Sequence, residues 1–391
     1  MATENNTKPQ PTNGKQELLL LLNNAKKEIY GPKCHPLTMG QLNFHAYDTK
    51  HRAYIDFQIP KKKRGEFRTI SAPCPGLKVI QTCLCKILTD YYKPHAAAMG
   101  FVQGRSVADN AKVHVGQEYV YNIDLKNFFP SIKGGRIHKR LLAKPFLLDP
   151  ATANMIVRLC CGVDENGVEV LPQGAPTSPI LTNIICERLD RKLSKLAKAY
   201  DLRYTRYADD ITFSGVNNKF NPEGNFCQAL KRIIEEEEHL RINEDKTRVR
   251  GRNQRQEVTG LSVNEKANVS KDYVKQIRTM LANWEKSGYD YAQARFLEHY
   301  HPTKNVKGVH HIENILGGKL AYMQMVKGAQ DPTYSKLNAR YLALLQQGGN
   351  GPRGLASPTP NPVQGQDFSS LIDGNDLVDS LNQDLDTLLN T

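Results

Sequence analysis

Two adjacent carboxylates in the string Tyr207-Ala208-Asp209-Asp210 are the residues of this chain with the strongest claim on chemistry. Tyr204 to Ser214 reads as strand, Ala-Asp-Asp turn, strand, which puts the pair at the tip of a hairpin. Neighbouring like charges repel, so such a turn is costly unless a cation sits there. Mg2+ suits the position: it is hard, prefers oxygen, and is commonly held by one or two carboxylates plus substrate phosphates. Mn2+ would serve in the same place. A third carboxylate, Asp124, ends the β-rich run Tyr119-Val-Tyr-Asn-Ile-Asp and is expected on a neighbouring strand. Three carboxylates on adjacent strand ends can hold two metal ions about 4 Å apart, activating an attacking oxygen and steadying a leaving one. In isolation the four-residue string is also what a solvated turn looks like, so its surroundings must decide.

Those surroundings alternate between helix and strand. Lys15 to Tyr30 reads as a helix, and Tyr54 to Ile70 as a basic hairpin turning at Arg64-Gly65. Leu77, Ile80, Leu84, Ile87 and Leu88 share one face of a helix running to Tyr92. Ser178-Pro179 opens a long helix, with Ser as N-cap and Pro in the first turn. Asn225 to Leu240 is a further helix, and its acidic run Glu235 to Glu238 reads as a solvated face. Residues 1–14 are polar and suit a disordered leader, while 347–366 are rich in Gly, Pro, Asn and Gln and suit a flexible linker. Residues 367–391 carry six Asp, no Lys or Arg, and apolar residues at helical spacing, as an acidic amphipathic tail would.

Bulk composition narrows the class. The 391 residues can bury a core in two or three subdomains, and 53 Lys+Arg against 40 Asp+Glu give a formal charge of +13. A surplus of that size suits a polyanionic partner, since each neutralised phosphate releases counterions. No stretch approaches the roughly 20 apolar residues that span a bilayer. The leucine run Leu18–Leu22 is too short and too late for a signal peptide. Eight cysteines without C-x-x-C spacing speak against structural zinc and for reduced thiols in a cytoplasmic protein.

The order of the motifs resembles that of reverse transcriptases. Asn122-Ile-Asp-Leu-Lys-Asn-Phe-Phe-Pro130 is similar to the family's first palm motif, Pro172-Gln-Gly-Ala-Pro-Thr-Ser-Pro179 to the second, and Arg206-Tyr-Ala-Asp-Asp-Ile211 to the third. Asn243-Glu-Asp-Lys-Thr247 and Val258-Thr-Gly-Leu261 resemble the two that close the palm. The resemblance implies an α+β, right-hand polymerase: fingers and palm within 15–264 around an antiparallel sheet, a helical thumb over 265–346, then the linker and flexible tail. It implies RNA-templated DNA synthesis from dNTPs with two Mg2+ ions held by Asp124, Asp209 and Asp210. By the same resemblance Lys63 and Arg68 grip the incoming triphosphate. Phe129 becomes a steric gate against the 2′-hydroxyl, Gln173 touches the nucleotide, and Lys246 protonates the departing pyrophosphate.

Two further strings narrow the resemblance to bacterial retron enzymes. Asn110-Ala-Lys-Val-His114 is similar to their N-A-x-x-H signature, and Val258, Thr259 and Gly260 form their V-T-G signature. In that family both regions are linked to recognition of a cognate structured RNA, which Asn and His could read through base edges or 2′-hydroxyls. Asn110 and His114 could equally cap a helix and pack in a core. The resemblance implies branched single-stranded DNA (msDNA) as product and a place in anti-phage defence. The acidic tail departs from the family's pattern and is expected to dock a separate effector or to stabilise an oligomer. A core that serves mainly as a nucleic-acid scaffold restraining a toxin is the competing expectation.

Overall fold

The computed structural model describes residues 14–48, 53–60, 65, 67–299 and 311–347. The expected leader up to residue 13, Lys63, almost all of the linker and the acidic tail lie outside the described residues.

Helices α1 (Lys15–Tyr30) and α2 (Met39–Tyr47) lead into an antiparallel hairpin of β1 (Tyr54–Pro60) and β2 (Phe67–Pro73). α2 opens in a capping box: the Thr38 side chain accepts from the Gln41 amide, and the Gln41 side chain accepts from the Thr38 amide. Then follow α3 (Pro75–Tyr91), α4 (Val107–Val113), β3 (Tyr119–Leu125), α5 (Phe128–Ser131), α6 (Gly134–Leu142) and α7 (Pro150–Cys160). A short ribbon of β4 (Gly162–Val163) and β5 (Glu169–Val170) precedes the long α8 (Ser178–Ala199). Leu181, Ile185, Leu189 and Leu193 bury the apolar stripe of α8.

Ser178 is not the N-cap expected of it. The chain enters α8 through a turn in which the Ser178 amide already bonds Ala175 O at 3.1 Å, so Thr177 takes the cap position. The Ser178 hydroxyl donates to Pro172 O at 2.6 Å and closes the loop instead.

β6 (Arg203–Tyr207) and β7 (Asp210–Gly215) form the expected hairpin, followed by α9 (Asn225–Lys231), a π-helical turn (Arg232–Glu237) and β8 (Ile242–Gly251). The four strands make an antiparallel sheet in the order β6-β7-β3-β8. Its inner face packs Ile123, Ile211 and Phe213 against Leu189 and Leu193 of α8 and Phe226 of α9. The acidic run departs from a solvated face at its end. Glu238 is 3% exposed and gathers Arg136 at 2.6 Å, Arg188 at 2.8 Å and Lys192 at 2.7 Å. Three cations offset the desolvation of that carboxylate.

The two-residue strands β9 (Glu257–Val258) and β10 (Leu261–Ser262) form a hairpin. Beyond it lie α10 (Lys271–His299, kinked at Gly288), α11 (Ile312–Lys327) and α12 (Pro332–Gln347). Leu281, Leu316, Leu320 and Leu337 share a core with Val258 and Leu261 of the hairpin and with Val107 and Ala111 of α4. Among the described residues no helix is long and apolar enough to cross a membrane.

Candidate active site

β3 and β7 pair in a register that sets Asp124 opposite Asp210, and the Leu125 amide donates to Asp209 O at 3.0 Å. Tyr207 pairs with Asp210, so Ala208 and Asp209 form a two-residue turn, with Ala208 in the left-handed conformation at φ 55°. All three carboxylates therefore gather at the same end of the sheet. On the other flank β8 pairs with β3 through a bulge between Asn122 and Asp124. The bulge aims two β8 side chains at one carboxylate: Lys246 Nζ lies 2.8 Å from Asp124 Oδ1, and Asn243 Nδ2 donates to Asp124 Oδ2 at 3.1 Å.

The electrostatics are those of crowded acids. Burial, then the charges of Asp209 and Asp124, push the Asp210 carboxyl up to about 7, while Arg248 and Lys246 oppose the shift. Asp209 is raised as well, by burial and by Asp124, with Lys246 and Arg68 pulling it back. Arg68 on β2 is thus one of the cations whose charge reaches Asp209. The donor set, carboxylate oxygens in a site where negative charge is unfavourable, fits a hard divalent cation. Among the described residues no group of three or more His, Cys, Asp or Glu side chains is placed to hold a metal ion by itself. Ions here would have to complete their coordination with water or with phosphates of a substrate.

A stability consequence follows from Asp210. Its folded value near 7 exceeds the ordinary 3.8, so between those values the native chain binds a proton that the unfolded chain has lost. The site's contribution is therefore fully present below about pH 4 and is lost as pH rises through about 7. Metal-free protein should lose melting temperature over that window, and Asp210→Asn should remove this part of the loss. Identical pH profiles for the two proteins would contradict the assignment.

Around this centre the other expected residues take distinct places. Phe129, on α5, is half-buried, with the Phe128 ring 5.6 Å and the Phe101 ring 6.3 Å away. Gln173 joins the sheet region to the β1–β2 hairpin, its carbonyl accepting from the Ser71 amide at 2.8 Å. Gly174 follows at φ 122°, where a Cβ would lie 2.8 Å from Ile70 Cγ2 and 3.1 Å from Ser71 O. The close approach that the glycine allows here is to β2.

Asn110 and His114 do not present their side chains to a ligand. They are 1% and 0% exposed. Asn110 Oδ1 accepts from Thr205 Oγ1 at 2.6 Å, and His114 bonds Ser214 Oγ and Thr205 Oγ1, each at 2.7 Å. Burial pushes the imidazole down to about 3, so it is neutral, with one ring nitrogen donating and the other accepting. The expected pairing with base edges is not open to side chains so enclosed; they brace the back of the sheet. Asn110 Nδ2 also reaches Thr259 Oγ1 at 3.4 Å, tying the N-A-x-x-H helix to the V-T-G hairpin 149 residues away. Val258 is fully buried, while Thr259 and Gly260 form the turn at φ 46° and 79°. Positive φ at a β-branched residue such as Thr259 is a strained conformation.

Sequence reasoning gave Arg206 no role, and it is the most enclosed charge near the turn. Arg206 and Asp190 are both 0% exposed and meet in a two-pronged ion pair, Nε to Oδ1 and Nη2 to Oδ2, both 2.7 Å. The guanidinium also donates to Ala208 O at 3.2 Å and to Asn183 Oδ1 at 3.1 Å, and Tyr204 OH donates to Asp190 at 2.7 Å. The turn carrying Asp209 is thereby tied to α8. Two signals existed in sequence: a charge inside the strand pattern at Arg206, and Asp190 beside the apolar stripe of α8.

Comparison with known proteins agrees with this arrangement. The family described as Reverse transcriptase (RNA-dependent DNA polymerase) matches residues 59–264, more than half of the chain, and the chain belongs to that family. Its right-hand polymerase fold is of the bacterial retron type. The chain is 38% identical over 270 residues to the Retron Mx162 reverse transcriptase of Myxococcus xanthus, covering 62% of this chain and 55% of that protein. Over 251 residues it is 36% identical to the Retron Mx65 reverse transcriptase of the same organism, covering 61% and 58%. The Retron Ec86 reverse transcriptase of Escherichia coli is 29% identical over 252 residues, covering 62% and 72%. The chain thus spans little more than half the length of the first two relatives. A solved telomerase from Candida albicans, in complex with a fragment of telomeric RNA, superposes with a TM-score of 0.41 at 12% identity, covering 85% of this chain and 68% of that one.

Proposed function

We propose that the chain is the RNA-directed DNA polymerase of a retron, copying a cognate structured non-coding RNA into msDNA within an anti-phage defence system. The observation that carries this reading is the gathering of Asp124, Asp209 and Asp210 at one end of the sheet, with the charge of Arg68 reaching Asp209. In the reaction a primer hydroxyl oxygen attacks the α-phosphorus of a dNTP, and the bond to pyrophosphate breaks. Two Mg2+ ions, or Mn2+, held by the three carboxylates would lower the pKa of that hydroxyl and neutralise the leaving group.

The chain's own side chains account for the rest. Arg68, and Lys63 by the resemblance of its sequence position, would bind the triphosphate and offset the charge that develops on pyrophosphate. Gln173 would hold the sugar and base, and Phe129 would exclude a 2′-hydroxyl. Lys246 stands within reach of the carboxylates, where its ammonium could pass a proton to pyrophosphate. Asn110 and His114 would serve RNA recognition indirectly, by fixing the Val258-Thr259-Gly260 turn whose glycine is exposed. The acidic tail would dock the effector, so a chain ending at Gln366 should still polymerise yet fail to retain that partner.

Expression of the chain with the DNA flanking its gene, followed by RNase and DNase digestion of the copurified nucleic acid, tests the retron reading. The expected result is a short single-stranded DNA joined to RNA. RNA alone, with no DNA made, would instead support a scaffold that binds RNA without copying it.

A further inference from the structure

Phe101 holds a conformation that its side chain disfavours. Its φ is 58°, and a bulky residue there is an outlier that persists only where surrounding contacts over-determine it. Those contacts are specific. The chain from Ala97 to Gly100 runs along β6: the Arg206 amide donates to Ala97 O at 2.8 Å, and the Met99 amide donates to Arg206 O at 2.7 Å. Gly100 then presses on the carboxylate-bearing turn so closely that a Cβ would lie 2.7 Å from Ala208 N. From α8 the buried Asn183 Nδ2 donates to Gly100 O at 3.0 Å and to Phe101 O at 3.4 Å.

The strained backbone delivers the Phe101 ring to one place. Its centroid lies 6.3 Å from Phe129 and 6.3 Å from Tyr207, within the range of favourable tilted aromatic packing. Phe129 is consequently propped by Phe128 and by Phe101, a residue that reaches it from a distant part of the chain. A steric gate excludes only if its ring cannot retreat; Phe129 also packs against two hydrophobic clusters of the core, and Phe101 adds a ring contact from a separate segment.

We infer that Phe101 is a specificity-determining positioning residue: its ring backs Phe129 and so enforces the choice of deoxynucleotides over ribonucleotides. This rests on the reading of Phe129 as the gate. Because Asn183 holds the Phe101 backbone with one end and Arg206 with the other, the same helix positions the gate and the carboxylate turn.

The test is single-nucleotide incorporation of dNTP and rNTP by the full-length chain, compared for wild type, Phe101→Ala, Phe101→Gly and Phe129→Ala. The readout is the ratio of kcat/KM for the two nucleotides, which does not depend on how much of a preparation is folded. Phe101→Gly removes the ring and relieves the positive-φ strain together, so it keeps the test open should Phe101→Ala fold poorly. The expected result is a ratio lowered about tenfold in both Phe101 variants and at least as far in Phe129→Ala. A Phe129→Ala ratio that falls while both Phe101 variants match wild type would overturn the inference and leave the gate standing. An unchanged ratio in Phe129→Ala would remove the gate itself, and this inference with it.

Discussion

Replacing Asp209 and Asp210 together by Asn should lower nucleotide incorporation by about 10⁴-fold or more, with the fold intact. The two side chains belong to the set that gathers with Asp124 at the sheet end, and their charge is what a divalent cation would recognise. Asn keeps the shape and hydrogen-bonding capacity but carries no charge, so template and primer should still bind. Removing acids whose ionisation burial opposes should also stabilise the metal-free protein near neutral pH. Loss of activity and gain in melting temperature should therefore appear in the same variant. A melting temperature that fell along with activity would point to a structural role for the pair instead.

The second large effect is expected at Arg206. Arg206→Ala leaves the Asp190 carboxylate buried and unpaired, which costs about 3–5 kcal/mol and should prevent stable folding. The informative variant is the double replacement Arg206→Met with Asp190→Leu. An apolar pair of similar volume removes the unpaired buried charge, so melting should recover in part, short of wild type because Tyr204 OH and Asn183 Oδ1 lose their partners. The hydrogen bond to Ala208 O cannot recover, because no donor remains. The expected outcome is a folded protein, more stable than Arg206→Ala, whose kcat stays about 10²-fold low with KM little changed. Thermal melting and steady-state kinetics on one preparation would show it. Recovery of kcat along with stability would mean that the ion pair matters to folding alone.

Much of this site was legible in the sequence because its chemistry is local. The Asp pair between two β-rich runs specifies its own hairpin, and Asp124 ends a strand whose alternation marks it as a partner. The conformational devices were not legible, because they depend on contacts between distant segments. Asn183 meets Phe101 across 82 positions, and Asn110 meets Thr259 across 149. Glu238 looked like one more solvated acid, since the cations that bury it come from α6 and α8. The N-A-x-x-H string left two readings open, and tertiary packing favours enclosure: Thr205 and Ser214 are the partners that satisfy it. Gly100-Phe101 carried no reading in the sequence, because the close approach of Gly100 to Ala208 exists only once the two segments meet.

The most direct measurement is extension of a DNA primer annealed to an RNA template by the purified full-length chain, with dNTPs and Mg2+, against the Asp209→Asn/Asp210→Asn variant. The account predicts full-length complementary DNA that depends on the divalent ion and is absent from the variant. A wild-type chain that binds the primer–template yet adds no nucleotide with either Mg2+ or Mn2+ would contradict it.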